Sequence, residues 1–232
     1  MPVGVLINNA LVALGGILGG MLGPRISENI KENLNQLFGF AALGIGVTLI
    51  VKVTALGAVI LSLILGTWLG SALQLEIRVQ ALFSRLNAWL LKKAAPDAEY
   101  MSRFSTLLVL CCCGATGIFG SMNEALSGDN TTILCKAILD FFTVMIFATL
   151  LGKFTAIIAL PQMAILLTVF FFARQIAPWM TAEVIGNFSA TGGIIELIIG
   201  LRILKLSSMK AIDTLPALFL IFPVSFLWQL LF

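Results

Sequence analysis

Long apolar stretches, broken by short polar ones, run the length of the chain. They mark eight expected spans, at about Val3–Gly23, Leu37–Val51, Thr54–Leu75, Phe104–Met122, Ile133–Leu151, Phe154–Ala173, Phe188–Leu204 and Leu215–Leu231. Most approach the ~20 apolar residues that cross a bilayer as a helix. No basic residue precedes the first stretch, which is too long for a signal-peptide core, so it is read as a retained span. One segment has a different pattern. In "IRVQALFSRLNAWLLKKAAP", Ile77, Ala81, Leu82, Leu86, Trp89 and Leu90 recur at helical spacing, with Arg78, Arg85, Lys92 and Lys93 mostly opposite. This predicts an amphipathic helix on the membrane surface, with Trp89 at the headgroups. The polar segments "PRISENIKENLNQ", "NEALSGDNTT" and "RQIAPWMTAEVIGN" read as connections.

The pattern repeats. Shifted by 154 residues, Pro24 meets Pro178, Ser27 meets Thr181, Asn33 meets Asn187, and Gly39 and Gly46 meet Gly193 and Gly200. Upstream, Asn8 meets Gln162. Spans one and six lie five crossings apart, so the second copy is inverted. If spans four and five form a re-entrant hairpin instead, the count stays odd. The expected architecture is an all-α polytopic membrane protein in one membrane domain. Residues 1–76 form repeat one, 77–103 the interfacial helix and linker, 104–151 a central helix pair, and 154–232 the inverted repeat two. Inverted repeats recur in secondary transporters, with the site near the midplane between them.

Composition agrees with lipid as the solvent. The chain is 59% hydrophobic and 11% charged, with mean hydropathy +1.07, against about 25% charged in soluble domains. The basic residues then report orientation rather than nucleic-acid binding. With the segment after span three in the cytoplasm, eleven of the fourteen fall inside, and both termini face outward. Lys52 and Arg174 fall outside, and Lys136 lies within span five. This is the pattern of a multi-pass membrane protein oriented by the positive-inside rule. There is no histidine, and Cys111, Cys112, Cys113 and Cys135 form no CxxC pair. No cofactor or metal is expected, nor Ser-His or Cys-His catalysis, nor an enzyme. The cysteine run reads as small apolar packing.

Candidate chemistry sits in the spans. Lys136 and Asp140 are four residues apart, on one helical face of span five. Charges at that depth cost ~2.5–3.5 kcal/mol or more, and they face a bundle interior or cavity. Asp140 is the expected cation-binding or coupling carboxylate, and Lys136 its partner or an anion binder. A pair that only glues helices together is the competing reading. Glu196, just past Gly192 and Gly193 in span seven, has no basic residue within a turn. It is a second candidate carboxylate, or else a protonated, hydrogen-bonded acid. Asn33 and Asn187 open the glycine-bearing stretches "NLNQLFGFAALGIG" and "NFSATGGIIELIIG". These are either unwound, site-lining backbone or close-packed helices capped by the two asparagines. Asp129 reads mainly as a cap for span five, and Asn123 and Glu124 as solvated.

The run "GSMNEALSGDNTTILCKAILD" resembles the signature of a bacterial family of inner-membrane proteins, domain of unknown function 554. Gly120, Leu126, Gly128, Asp129, Lys136 and Asp140 occupy its motif positions. "ATGGIIELIIGLRIL" and "IDTLPAL" are similar to its second half. Glu124-Ala125 and Phe141 depart from the pattern. The resemblance implies a multi-pass membrane protein and supplies no activity. The expected function is therefore drawn from the residues: transport of a small solute or ion. A non-transporting scaffold or regulator, or a channel, is the alternative. The expected partners are lipid and the solute, with no nucleic acid; the glycine content admits a homodimer.

Overall fold

The computed structural model describes residues 1–91, 98–112 and 115–231. Its order is α1 Val3–Leu22, α2 Glu28–Ile50, α3 Leu56–Ala72, α4 Leu75–Leu91, α5 Ala98–Cys112, α6 Ala115–Ser127, α7 Thr131–Leu151, α8 Ala159–Ile176, α9 Ala182–Ile203 and α10 Pro216–Leu231, with short 3₁₀ turns between some of them. No strand occurs among the described residues. Among the described residues, seven stretches are long and apolar enough to cross a membrane; one of them, Glu99–Ser127, runs through α5 and α6. With 17 residues, α3 is not one of them by itself; it makes an eighth only with α4, which leaves it at a 52° bend.

Helix directions follow from which ends meet. Gly15 and Gly19 of α1, and Gly23 just past its end, lie against Phe141, Met145 and Thr149 of α7, a constant offset that makes the two parallel. Gly39 faces Gly200 and Gly46 faces Gly193, so α2 and α9 are antiparallel. Gly66 faces Ala217 and Gly70 faces Asp213, so α3 and α10 are antiparallel too. The Tyr100 hydroxyl donates to the Leu151 carbonyl at 2.9 Å, while Glu124 meets the start of α1. Span four, made of α5 and α6, therefore runs from one end of the bundle to the other, and α7 runs back, so spans four and five are not a re-entrant hairpin. Arg25, Arg78, Arg103, Lys153, Arg202 and Lys205 gather at the end where α1 finishes. This is called the basic end below.

The α2–α9 seam corrects one sequence expectation. "NLNQLFGFAALGIG" and "NFSATGGIIELIIG" are continuous helix, not unwound backbone. A methyl group at Gly46 or Gly193 would stand 2.7 Å from the carbonyl of the other, so the absent side chains let the backbones touch. The helices also begin earlier than hydropathy suggests. Residues 28–36 extend α2 by more than two turns at the basic end, where Asn29, Glu32, Asn33 and Gln36 are exposed. Asn33 and Asn187 do not cap these helices. The N-caps are Ser27 and Thr181, and the Thr181 hydroxyl accepts from Val184 N–H at 3.3 Å.

In α4, Glu76 and Phe83 face the protein, and Ile77, Ala81 and Leu82 face outward. Lys92, Lys93 and Cys113 lie outside the described residues, as do the side chains of Leu86, Trp89 and Leu90.

Gly193→Val should lower the melting temperature in detergent, by ~1–3 kcal/mol of overpacking. Gly44→Val should melt like the parent, since a methyl group there meets nothing within 4 Å and the position is exposed. Equal melting of the two would contradict the seam.

Candidate functional site

Asp140 is the hub of a buried polar network. Lys136 Nζ donates to both of its oxygens, at 2.8 and 2.7 Å. Gln162 Nε2 donates to Asp140 Oδ2 at 2.6 Å, and Asn8 Nδ2 donates to the same oxygen at 3.2 Å. Gln162 Nε2 also donates to Asn8 Oδ1 at 3.0 Å. Asn8 and Gln162 have no exposed surface, and Lys136 and Asp140 keep 5% and 7% of theirs. The helical 3.6 period puts Lys136 and Asp140 on one face, so the pair needs no loop to assemble it. A buried charge without such partners would cost several kcal/mol, which is why the amides of α1 and α8 close around this carboxylate.

The network joins two residues already paired by sequence: Asn8 and Gln162 are mates under the 154-residue shift. The glycine pairs obey the same rule. Exchanging Gly39 for Gly193 and Gly46 for Gly200 turns one observed contact into the other.

Glu196 lies on α9 and keeps 7% of its surface. It is within electrostatic reach of Lys136 and Asp140, and so is Cys111 on α5. Asp140 and Glu196 also share a depth. Phe147 and Ile203, each two helical turns closer to the basic end, both line a narrow recess with Thr106 and Arg103. Two turns are roughly 10 Å. A wider recess of about 550 Å³ opens beside it, lined by Glu32, Gln36, Phe40, Arg103, Leu150 and Lys205 among others.

The remaining candidates fall elsewhere. Asp129 is exposed in the turn before α7, where Gly128 supplies a φ of +78°. Its carboxylate accepts from Thr131 N–H at 2.9 Å. Thr131, through its hydroxyl first and then its N–H, holds the Asp129 carboxyl below its ordinary range. Asn33 is exposed on α2. Asn187 is buried; its oxygen accepts from Thr54 N–H, Thr54 Oγ1 and Ala55 N–H, and its amide donates to Ser225. It thereby caps α3 from a distance. Gly193 belongs to the seam, whereas Gly192 is buried with nothing within 4 Å of where its methyl group would stand.

Three acidic residues that patterning did not single out as interior partners hold the ends together. Glu124 is not solvated as expected, although Asn123 is exposed. It accepts from Gly4 and Val5 N–H at 2.6 and 3.1 Å, satisfying the open start of α1. Glu76 pairs with Arg202 and accepts from Ile212 N–H at 3.2 Å, while Asp213 accepts from Glu76 N–H at 2.9 Å. This reciprocal capping ties the α3–α4 bend to the α9–α10 connection. The only signal in the sequence was an acid beside an apolar run, which does not say what it meets more than a hundred residues away.

The fold and its buried ion network define a polytopic, all-helical membrane protein. The chain belongs to the family described as a protein of unknown function, DUF554, which it matches over residues 3–226. It is 38% identical over 230 residues to the uncharacterized protein YqgA of Escherichia coli K12, covering 98% of each chain. It is 29% identical over 219 residues to the uncharacterized membrane protein YdfK of Bacillus subtilis 168, covering 93% of this chain and 92% of that one. No solved structure matches it.

Lys136→Ala should cost ~3–5 kcal/mol, because it strands a buried carboxylate. Lys136→Ala with Asp140→Ala should cost clearly less than the two single substitutions added together. Thermal unfolding of the four proteins gives the coupling; additivity would contradict the pair.

Proposed function

We propose that the protein is a secondary transporter of a small solute or ion in the bacterial inner membrane, with basic end inward and both termini outward. The observation that carries this reading is the joining of repeat mates Asn8 and Gln162 around the Asp140–Lys136 pair. In an inverted repeat, mates meet on the pseudo-twofold axis, which is where alternating access needs its site. The recess at the basic end supports a vestibule, with Phe147 and Ile203 between it and the two carboxylates. Orientation rests on the clustered basic residues and the positive-inside rule. In this reading Asp140 exchanges Lys136 and the two amides for the solute, and α1, α7 and α8 move about Asn8 and Gln162 beside a fixed α2–α9 seam.

A second reading is a non-transporting scaffold. Asp140 already accepts bonds from three side chains, as a purely structural latch would. One variant separates the two. Small organic and inorganic ions would first be screened for thermal stabilisation of the purified protein. The hits would then be followed into proteoliposomes. Asp140→Asn should stay folded and lose uptake at least tenfold. Undiminished uptake in that variant, or no uptake by the parent of any stabilising ion, would contradict the transport reading.

A further inference from the structure

The buried charges around Asp140 do not balance. Lys136 supplies one positive charge, and both oxygens of Asp140 already accept from it. Glu196 adds a second carboxylate within its field. Among the described residues the neighbouring helices bring no further cation to it: Arg174 of α8 is exposed in the last turn of that helix. No titratable residue lies within α3 or α10. In α6 the acid is Glu124, which is committed to α1. In α2, Lys31 and Glu32 sit in the first turns, at the basic end. Cys111 of α5 faces the group as a thiol, while Glu99, Tyr100 and Arg103 of that helix lie near the basic end. On α9 itself, Glu183 and Arg202 occupy the two ends. Leaving one negative charge uncompensated at this depth is costly.

The unpartnered atoms have one polarity. Among the described residues, the buried side-chain atoms lacking a hydrogen-bond partner are Asn9 Oδ1, Gln162 Oε1 and Glu196 Oε2. All are oxygens able to accept, and two of them belong to residues at or beside the network. What the core lacks is a donor or a cation.

There is also room for one. Gly192 precedes Glu196 by one turn on the same face of α9. A helical side chain leans back toward the N-terminus and covers the turn before its own Cα. Glu196 therefore shares its face with Gly192, which is buried yet has nothing within 4 Å of where a methyl group would stand. Its neighbour Gly193 is needed for contact with α2; no such contact accounts for Gly192.

We infer that Glu196 and the space beside Gly192 form a binding site for a single positive charge, carried by a proton or a small alkali cation. As the coupling ion of a transporter the site rests on the preceding proposal. As a binding site it is tested at equilibrium, so its failure and a failure of transport are distinguishable.

The test is thermal unfolding of the full-length protein in detergent. NaCl, KCl or LiCl is titrated against N-methyl-D-glucamine chloride at constant ionic strength, and pH is then varied without alkali cations. For an alkali cation, the melting temperature should rise by about 5–10 °C at a hundredfold excess over Kd. Glu196→Gln should abolish the rise. Gly192→Ala should melt like the parent without the cation, because its methyl group meets nothing, but should lose the rise because it fills the space. For a proton, alkali cations should have no effect. The parent should then lose stability as pH is raised, while Glu196→Gln stays flat. Identical cation and pH responses in the parent and Glu196→Gln would overturn the site. A full alkali response in Gly192→Ala would overturn its location.

Discussion

The structure depends on a carboxylate that cannot remain alone. Asp140 lies in the interior of a bundle built to sit in lipid, where a bare negative charge is strongly disfavoured. Its remedy fixes the positions of three helices. Lys136 comes from the same helix, at no cost in topology, but the remaining lone pairs must be met from elsewhere. Asn8 brings α1 and Gln162 brings α8, and each amide also bonds the other. Because the network is fully interior, removing a member leaves the others exposed to the same penalty. The glycine-lined approach of α1 to α7 follows the same axis: only small residues let α1 come close enough for Asn8 to reach.

Two kinds of contact divide the molecule. The α2–α9 and α3–α10 pairs touch through glycine and alanine, with backbone against backbone. Such seams gain from dispersion and close fit, and they have one good geometry. The α1–α7 pair is glycine-lined as well, at Gly15 and Gly19, and polar side chains join α8 to both helices. The acidic anchors at the ends, Glu124 on α1 and Glu76 with Asp213 and Arg202, clamp helix starts without filling the interior.

Much of this was legible in the sequence because it depends on local spacing. Apolar length gave the spans, the i, i+4 spacing gave the Lys136–Asp140 face, and register under a fixed shift matched Asn8 with Gln162 and the seam glycines with one another. Helix starts were misjudged where polar residues simply extend a helix into water, as in α2. Asn187 was visible as the opening of a glycine-bearing stretch but not as the cap of α3, because its partners Thr54 and Ala55 are brought to it by tertiary packing. Glu124, Glu76 and Asp213 were illegible for the same reason. Gly192 and Gly193 look alike in sequence; only the helix behind one and the space beside the other tell them apart.

The central claim is that the Asp140 network is a working site rather than a strut. Amide hydrogen exchange of the protein in lipid nanodiscs tests it most directly, because exchange at membrane depth needs water to enter. The account predicts that the segments of α1, α7 and α8 around Asn8, Asp140 and Gln162 exchange through an opening less costly than global unfolding, while the α2–α9 seam stays protected. Equal and maximal protection at both places would show a core that never opens, and would contradict it.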